Sequence, residues 1–458
     1  MQTYNDFLNS KRERVAPSGM KNTPELATHL FPHQAHTVDF LLRCGRGGAF
    51  LDTGLGKTNV ELEWAHQVMR HTNRPVLYLA PLAVGKQHAR EAERFGYETK
   101  LATQGSDIKG ANIYITNYEK LHKFDSSQFG GIVLDESSII KSFAGVTTRK
   151  LMEFTEQIPW RLAATATPAP NDHMELGQHS QFLGAMKSNE MLARWFIADQ
   201  SEMGRYRLKK SGVNDFWAWV ASWARCIGKP SDVGYDDSGY ILKPLHENLH
   251  YVKTDLTKEA GDSLFRMPDC SATAIHKEKR LTSGDRAQKI ADLVNAEPNE
   301  PWMIWVETDY DADSIMELLP NAVEVRGNMK PEMKEERLDG FSTGQIQTLV
   351  SKPKIAGMGL NWQHCARTAF VGLSFSYEMY YQAIRRFWRF GQEREVECHI
   401  ALAETEQSIW GAIQRKKESH EEMKLAMFEA MRREVLNKST KDSYQPKQTA
   451  QLPKFLKG

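Results

Sequence analysis

The stretch "GGAFLDTGLGKTNVELEWA", residues 47–65, constrains the fold more than any other in the chain. A short apolar run ends in a turn with two glycines, and a helical pattern begins directly after it. The same kind of apolar run returns at "PVLYLAP", "ANIYITN", "GGIVLDE" and "WRLAATAT", each time separated by helical stretches. Apolar strands that alternate with helices indicate a mostly parallel sheet covered by helices, an α/β fold. The alternation stops near residue 168 and returns at "PWMIWVET", "AVEVRG", "IQTLVSK", "TAFVGLS" and "VECHIAL". Two α/β units of similar size are therefore expected.

A length of 458 residues is too great for one hydrophobic core, which agrees with two or three domains. The expected division is an N-terminal arm at 1–24, a first α/β unit at 25–168, and a helical, Trp-rich insertion and linker at 169–279 that completes the first unit. A second α/β unit follows at 280–405, then C-terminal helices at 406–437 and a Lys-, Gln- and Pro-rich flexible tail at 438–458. The insertion carries "FWAWVASWARC", whose aromatics at 216, 217, 219 and 223 are spaced for helix packing rather than for base stacking, and "RYRLKK" at 205–210, a duplex-binding patch or a charged helix face. No apolar run approaches a membrane span, and "MQTYNDFLNSKRERV" lacks the apolar block of a signal peptide. The five cysteines, at 44, 226, 270, 365 and 398, form no CxxC pair and no metal-ligand cluster, as in a cytoplasmic protein with reduced thiols. The formal charge of +1 neither suggests nor excludes nucleic acid, since local positive charge can hide in a balanced total.

The glycine turn has a chemical meaning. Backbone N–H groups of such a turn and of the helix N-terminus can hold phosphate oxygens. Thr53, Gly54, Leu55, Gly56, Lys57, Thr58 and Asn59 are the candidates, with Lys57 reaching β/γ-phosphates and the Thr58 hydroxyl binding Mg²⁺. The eight-residue Walker pattern would have glycine at 51, where this chain has Leu51; the core "GLGKT" is intact. About eighty residues on, "GGIVLDESS" delivers Asp135 and Glu136 at the C-terminal end of a strand, where α/β sheets bind ligands. Asp135 would hold Mg²⁺ and Glu136 would orient or deprotonate the attacking water, which fits a nucleoside triphosphatase. Upstream, in "LFPHQ", the amide of Gln34 offers a donor and an acceptor for adenine.

Charge that develops on a transferred phosphoryl group calls for an arginine. "YYQAIRRFWRFGQ", residues 380–392, suits a helix running into a turn at Gly391, with Gln382, Arg386 and Arg389 on one face and Arg385 pointing elsewhere. Phe387 and Trp388 read as core residues, with base stacking as the alternative.

These blocks resemble the superfamily-two helicases and translocases, in particular the Swi/Snf-like branch of the bacteriophage type. "FPHQ", "DTGLGKT", "LAPLAV", "ITNYE", "LDESSIIK", "TATPAPN", "KIAGMGLNWQHC" and "YYQAIRRFWRFGQ" occur in the family's order across residues 30–415. The resemblance implies two RecA-like lobes with ATP and Mg²⁺ in the cleft and nucleic acid across both. It implies that Gln34 reads adenine, that Arg386 and Arg389 are arginine fingers beside Gln382, and that Gly357, Gly359 and Asn361 link the second lobe to nucleotide and to the tracked strand. Two departures, Ser138 and Arg385 (where nuclear remodellers usually have Asp), favour the phage-type branch. The host cytoplasm is then the expected location for a viral protein.

The expected activity is a DNA-dependent ATPase that translocates on DNA, duplex favoured over single strand. The alternatives are a strand-separating DNA or RNA helicase and, from another class, an ATP-gated interaction module without motor activity. Candidate backbone contacts are the loops 81–86, 117–120, 165–171 and 351–354, with Lys86, Asn117, Thr167, Lys352 and Asn361 as contact residues. Thr165 and Thr167 are alternatively a relay between lobes or a plain turn. Replication or recombination proteins are candidate partners, and a monomer is favoured.

Overall fold

The computed structural model describes residues 13–81, 84–141, 145–169, 173–198, 206–253, 272–356 and 360–436. The chain up to residue 12, the tail from 437, and Asn171, Arg205, Cys270, Gly357 and Gly359 lie outside them. The first sheet takes β1 (Arg46–Leu51), β2 (Val76–Ala80), β3 (Thr99–Leu101), β4 (Ile113–Asn117), β5 (Gly131–Asp135) and β6 (Trp160–Ala164). An antiparallel pair, β7 (Phe196–Ala198) and β8 (Tyr206–Leu208), stands apart, and β9 (Ala224–Ile227) returns to the edge beside β1. The order is β3-β4-β2-β5-β6-β1-β9, and every pairing is parallel. Strands β2, β4, β5 and β6 are buried along their whole length, because helices cover both faces.

The second sheet takes β10 (Leu245–Val252), β11 (Trp302–Val306), β12 (Val323–Val325), β13 (Thr348–Ser351), β14 (Arg367–Val371) and β15 (Val396–Ala403). Its order is β10-β15-β14-β11-β13-β12, again all parallel. The molecule is thus an α/β protein of two parallel-sheet lobes, with a helical insertion and a C-terminal helix.

Two expectations are corrected, and two are made more specific. Residues 245–252 belong to the second sheet and not to the first-lobe insertion; β10 pairs with β15 from Leu245↔Val396 to Val252↔Ala403. Its polar side chains hid it, and they meet polar partners across the pair: His246 with Glu395, Asn248 with Glu397 and His250 with His399. "RYRLKK" is no helix face: Tyr206–Leu208 is β8, and the Lys209 ammonium donates to the carbonyls of Ala193 and Arg194, at the end of the helix Ser188–Trp195. The described part of the arm is tied to lobe one, with the amides of Ser18, Gly19 and Met20 donating to Cys44, Arg43 and Leu42. The C-terminal helices are one, Gln407–Leu436, 30 residues or about 45 Å long. The insertion aromatics Phe216, Trp217, Trp219 and Trp223 are buried, as their spacing requires.

The long helix joins the lobes. Ile409 and Ile413 sit in the core of the second lobe, while Met423, Met427 and Met431 sit in the core of the first. Its i, i+4 methionines cover the outer side of the insertion helix Val213–Trp223. No described helix is long and apolar enough to cross a membrane.

Candidate nucleotide site between the two lobes

Strand β1 ends at Leu51, and the turn 52–56 leads straight into the helix Lys57–Thr72. Gly56 precedes the helix with φ 77° and ψ 41°, so no side chain caps the first turn and its amides face outward at the positive end of the helix dipole. Gly54, at φ 93°, is needed for a second reason: a Cβ there would lie 2.8 Å from the amide nitrogen of Phe390 in lobe two. Gln34 closes the loop from the other side. Its amide donates to the Leu55 carbonyl at 3.0 Å and accepts from the Phe31 amide at 3.1 Å, and it is 2% exposed. Phe31 is half exposed beside Phe390 and Tyr240, whose rings stack at 4.6 Å.

Asp135 ends β5 and Glu136 follows it with φ 51°, one of two non-glycine residues with positive φ among those described. A strained backbone of this kind costs of order 1–3 kcal/mol and persists where a site demands it. Here it turns the Glu136 carboxylate to the Lys57 ammonium, 3.0 Å away, with Asp135 Oδ1 at 3.4 Å from the same nitrogen. Burial opposes the Lys57 charge, but Glu136, Asp135 and Glu61 outweigh it and hold the ammonium above its usual range. Burial also opposes the Asp135 charge, and Lys57 and His88 keep its carboxyl well below the ordinary value. Carboxylate and hydroxyl oxygens, the chemistry of Asp135, Glu136 and Thr58, are the hard donors that suit Mg²⁺. Among the described residues, no three His, Cys, Asp or Glu side chains gather as a metal cage by themselves. An ion there would share its shell with phosphate oxygens.

The arginines come from lobe two. The helix Tyr377–Ile384 ends before them, so Arg386 and Arg389 do not share a helical face, as the spacing had suggested. Phe387, fully buried against Trp305 and Trp362, draws the chain inward, and the turn closes through Arg386 N–H to Ala383 and Phe387 N–H to Ile384. Arg386 is 5% exposed; its Nε donates to the Gln382 carbonyl at 3.0 Å and its Nη1 to Leu360 at 3.2 Å. Burial pushes its pKa down, while Glu136 and Asp135 pull it up, so the guanidinium feels the acid pair of lobe one. Arg389 is pushed down to about 9 by burial and then by Arg386, and its Nε is buried with no partner among the described residues. It donates to Asn361 Oδ1. Two crowded, buried guanidiniums with an unused N–H are suited to a polyanion.

The expected nucleic-acid contacts fare unevenly. Asn117 is 8% exposed and accepts the Lys120 amide, so it caps the turn after β4. Thr167 is 3% exposed, with its amide on Thr165 Oγ1 at 3.1 Å, which matches the plain turn. Asn361 is engaged by Arg389. Lys352 pairs with Asp309 at 2.8 Å and lines a mainly apolar cavity of about 460 Å³ at the ends of β11, β13 and β14. Lys86 lies in the helix Gly85–Arg94, with its side chain outside the described residues.

Sequence reasoning missed several neighbours. His88 Nε2 donates to Asp135 Oδ2 at 2.8 Å, a contact that a lone histidine in "GKQHAR" does not announce. Glu61, one helical turn past Lys57, is buried and accepts the Tyr78 hydroxyl. The Tyr118 hydroxyl donates to the Asp135 carbonyl at 2.5 Å. Asp52, next to the predicted loop, binds groups from lobe two and the C-terminal helix.

No curated protein matches the chain. Residues 285–391 match the family model described as Helicase conserved C-terminal domain, a span inside lobe two that runs from the helix Ser283–Ala296 through the arginines to Gly391. Together with the two parallel sheets, this match indicates the helicase/ATPase fold of the superfamily-one and superfamily-two type, an architecture that implies ATP-driven motor activity on nucleic acid.

Proposed function

We propose that the chain is a DNA-dependent ATPase of the Swi/Snf-like, bacteriophage type that couples ATP hydrolysis to translocation along duplex DNA. The observation that carries this is the approach of the lobe-two arginine turn to the lobe-one loop on one chain: Arg385 Nη2 lies 3.2 Å from Asp52 Oδ2 and the Phe390 amide abuts Gly54, in the loop that leads to Lys57, whose ammonium meets Asp135 and Glu136. The amides of the loop 53–59 and Lys57 bind the phosphates, and Gln34, whose amide is engaged by Leu55 and Phe31, holds the loop and has one N–H left for the base. Mg²⁺, when bound at Asp135 and Thr58, supplies charge that polarises the phosphate. Glu136 takes the proton of the attacking water. Arg386 and Arg389 stabilise the charge that develops on the phosphoryl group, and they do so only when the lobes are together. Lobe closure is thereby linked to the nucleotide state, and two lobes that grip a phosphate backbone can step along it. Lys352 and the chain around Asn361 are the proposed lobe-two contacts, and Gly359 is assigned to the nucleotide side.

The test is ATP turnover without nucleic acid and with single-stranded DNA, duplex DNA or RNA, paired with triplex-displacement and unwinding assays. Stimulation by duplex with triplex displacement and no unwinding is the expected result. Unwinding, or turnover indifferent to every nucleic acid, would overturn the proposal.

A further inference from the structure

Asp52 is the last residue before the phosphate loop proper, and three separate parts of the chain meet on its carboxylate. Oδ1 accepts the Thr53 amide at 2.8 Å and the Tyr381 hydroxyl at 2.7 Å. Oδ2 accepts Arg385 Nη2 at 3.2 Å and Lys424 Nζ at 2.9 Å. The side chains of Asp52, Arg385 and Lys424 are 13%, 9% and 9% exposed, so the contact is shielded from solvent and from salt. Tyr381 and Arg385 belong to lobe two, directly before Arg386. Lys424 lies on the half of the long helix that packs on lobe one, between Met423 and Met427. The Asp52 backbone is fixed too: its amide donates to Ile227 at 2.9 Å, and its carbonyl accepts the Leu55 amide at 3.2 Å across the loop.

Resting on the nucleotide-site reading above, we propose that Asp52 is a positioning residue for ATP turnover, which fixes the phosphate loop to the Arg385 end of the lobe-two turn and so sets where Arg386 and Arg389 stand relative to the loop. Arg385, next in sequence to Arg386, is the element through which Asp52 acts. Its guanidinium is held flat between Asp52 and the rings of Trp388 and Tyr381, at 4.6 and 5.1 Å. Burial opposes the Asp52 charge, but Arg385 and Lys424 hold its carboxyl well below the ordinary range, in keeping with a carboxylate that stays charged. Lys424 adds the C-terminal helix, so a helix that spans both lobes is anchored at the same atom.

Asp52→Asn separates positioning from phosphate binding. The amide oxygen can still accept the Thr53 N–H, but the charge that attracts Arg385 and Lys424 is gone. Phosphate binding by Lys57 and the loop amides is untouched, whereas small misplacement of catalytic groups lowers turnover about 10- to 100-fold. The expected result is a fall in kcat of about ten-fold with KM for ATP within about two-fold, measured well below a melting midpoint that also falls because Arg385 and Lys424 lose a buried counter-charge. Arg385→Gln is expected to give a similar loss. The double variant is expected to lose no more than either single one, because the two groups act as a unit. Unchanged kcat in Asp52→Asn, a KM effect in place of the kcat effect, or losses that multiply in the double variant would each overturn the proposal. Should Asp52→Asn fail to fold, Arg385→Gln and Lys424→Met singly and together carry the same test. The Lys57→Ala chain separates the two ideas: if it still turns over ATP, the nucleotide site itself is misassigned, whatever Asp52 does.

Discussion

The two lobes share a sheet order, β1-β6-β5-β2-β4-β3 in one and β10-β15-β14-β11-β13-β12 in the other, and two of their strands, β1 and β11, lead into helices that start differently. In lobe one, β1 runs into two positive-φ glycines and a helix with no side-chain cap. In lobe two, β11 runs into Glu307, Thr308 and Asp309. There Thr308 Oγ1 accepts the Asp311 amide at 3.2 Å, Asp311 Oδ2 accepts the Thr308 amide at 3.1 Å, and Lys352 pairs with Asp309. One helix start has no side-chain cap, while the other has used its N-terminus on its own capping box. Lobe two brings its arginines from elsewhere, on the turn after Tyr377–Ile384. The comparison teaches that capping decides whether a helix start after a strand is left open to a ligand or closed by its own residues.

The largest effect should come from emptying the anion-binding side. Lys57→Ala is expected to abolish ATP turnover, measured as phosphate release, and to weaken nucleotide binding in parallel. On the opposite lobe, Arg386→Ala should lower kcat by about 10³-fold or more while a fluorescent nucleotide still binds within several-fold of its original affinity. Equal losses of binding and turnover in Arg386→Ala would erase the distinction between the lobes. Next in size, Phe387→Ala removes a fully buried ring from lobe two and should destabilise that lobe by about 3–5 kcal/mol, read as a lowered lobe-two transition in calorimetry. The smallest effect is expected from Thr308→Ala, which opens the capped helix of lobe two. It should cost about 1 kcal/mol of stability and leave ATP turnover alone. A marked fall in turnover would mean that this helix start has a nucleotide role after all.

Much of this was legible in the sequence, for a physical reason. Strands buried on both faces read as continuous apolar runs, and a glycine turn between a strand and a helix leaves few alternatives for Lys57. The acid pair at the end of β5 was legible in the same way. What escaped were features set by tertiary partners. β10 is polar because its side chains pair with those of β15, so no apolar alternation marked it. The early end of the helix at Ile384 follows from the burial of Phe387, which local propensity does not encode. Arg385 had no assignable role because its partner, Asp52, lies more than three hundred residues away, and Lys424 completes the contact from the C-terminal helix. The burial of Asn117 and Thr167 likewise depends on the packed loops around them.

The central claim is that both lobes of one chain build one nucleotide site, and mixing two inactive chains tests it most directly. Lys57→Ala lacks the phosphate grip but keeps its arginines; Arg386→Ala keeps the grip but lacks its finger. If the arginines act within their own chain, an equimolar mixture hydrolyses ATP no faster than the two variants do separately. Recovery of turnover in the mixture, rising with protein concentration, would show that the arginine reaches a neighbouring molecule and would contradict the account.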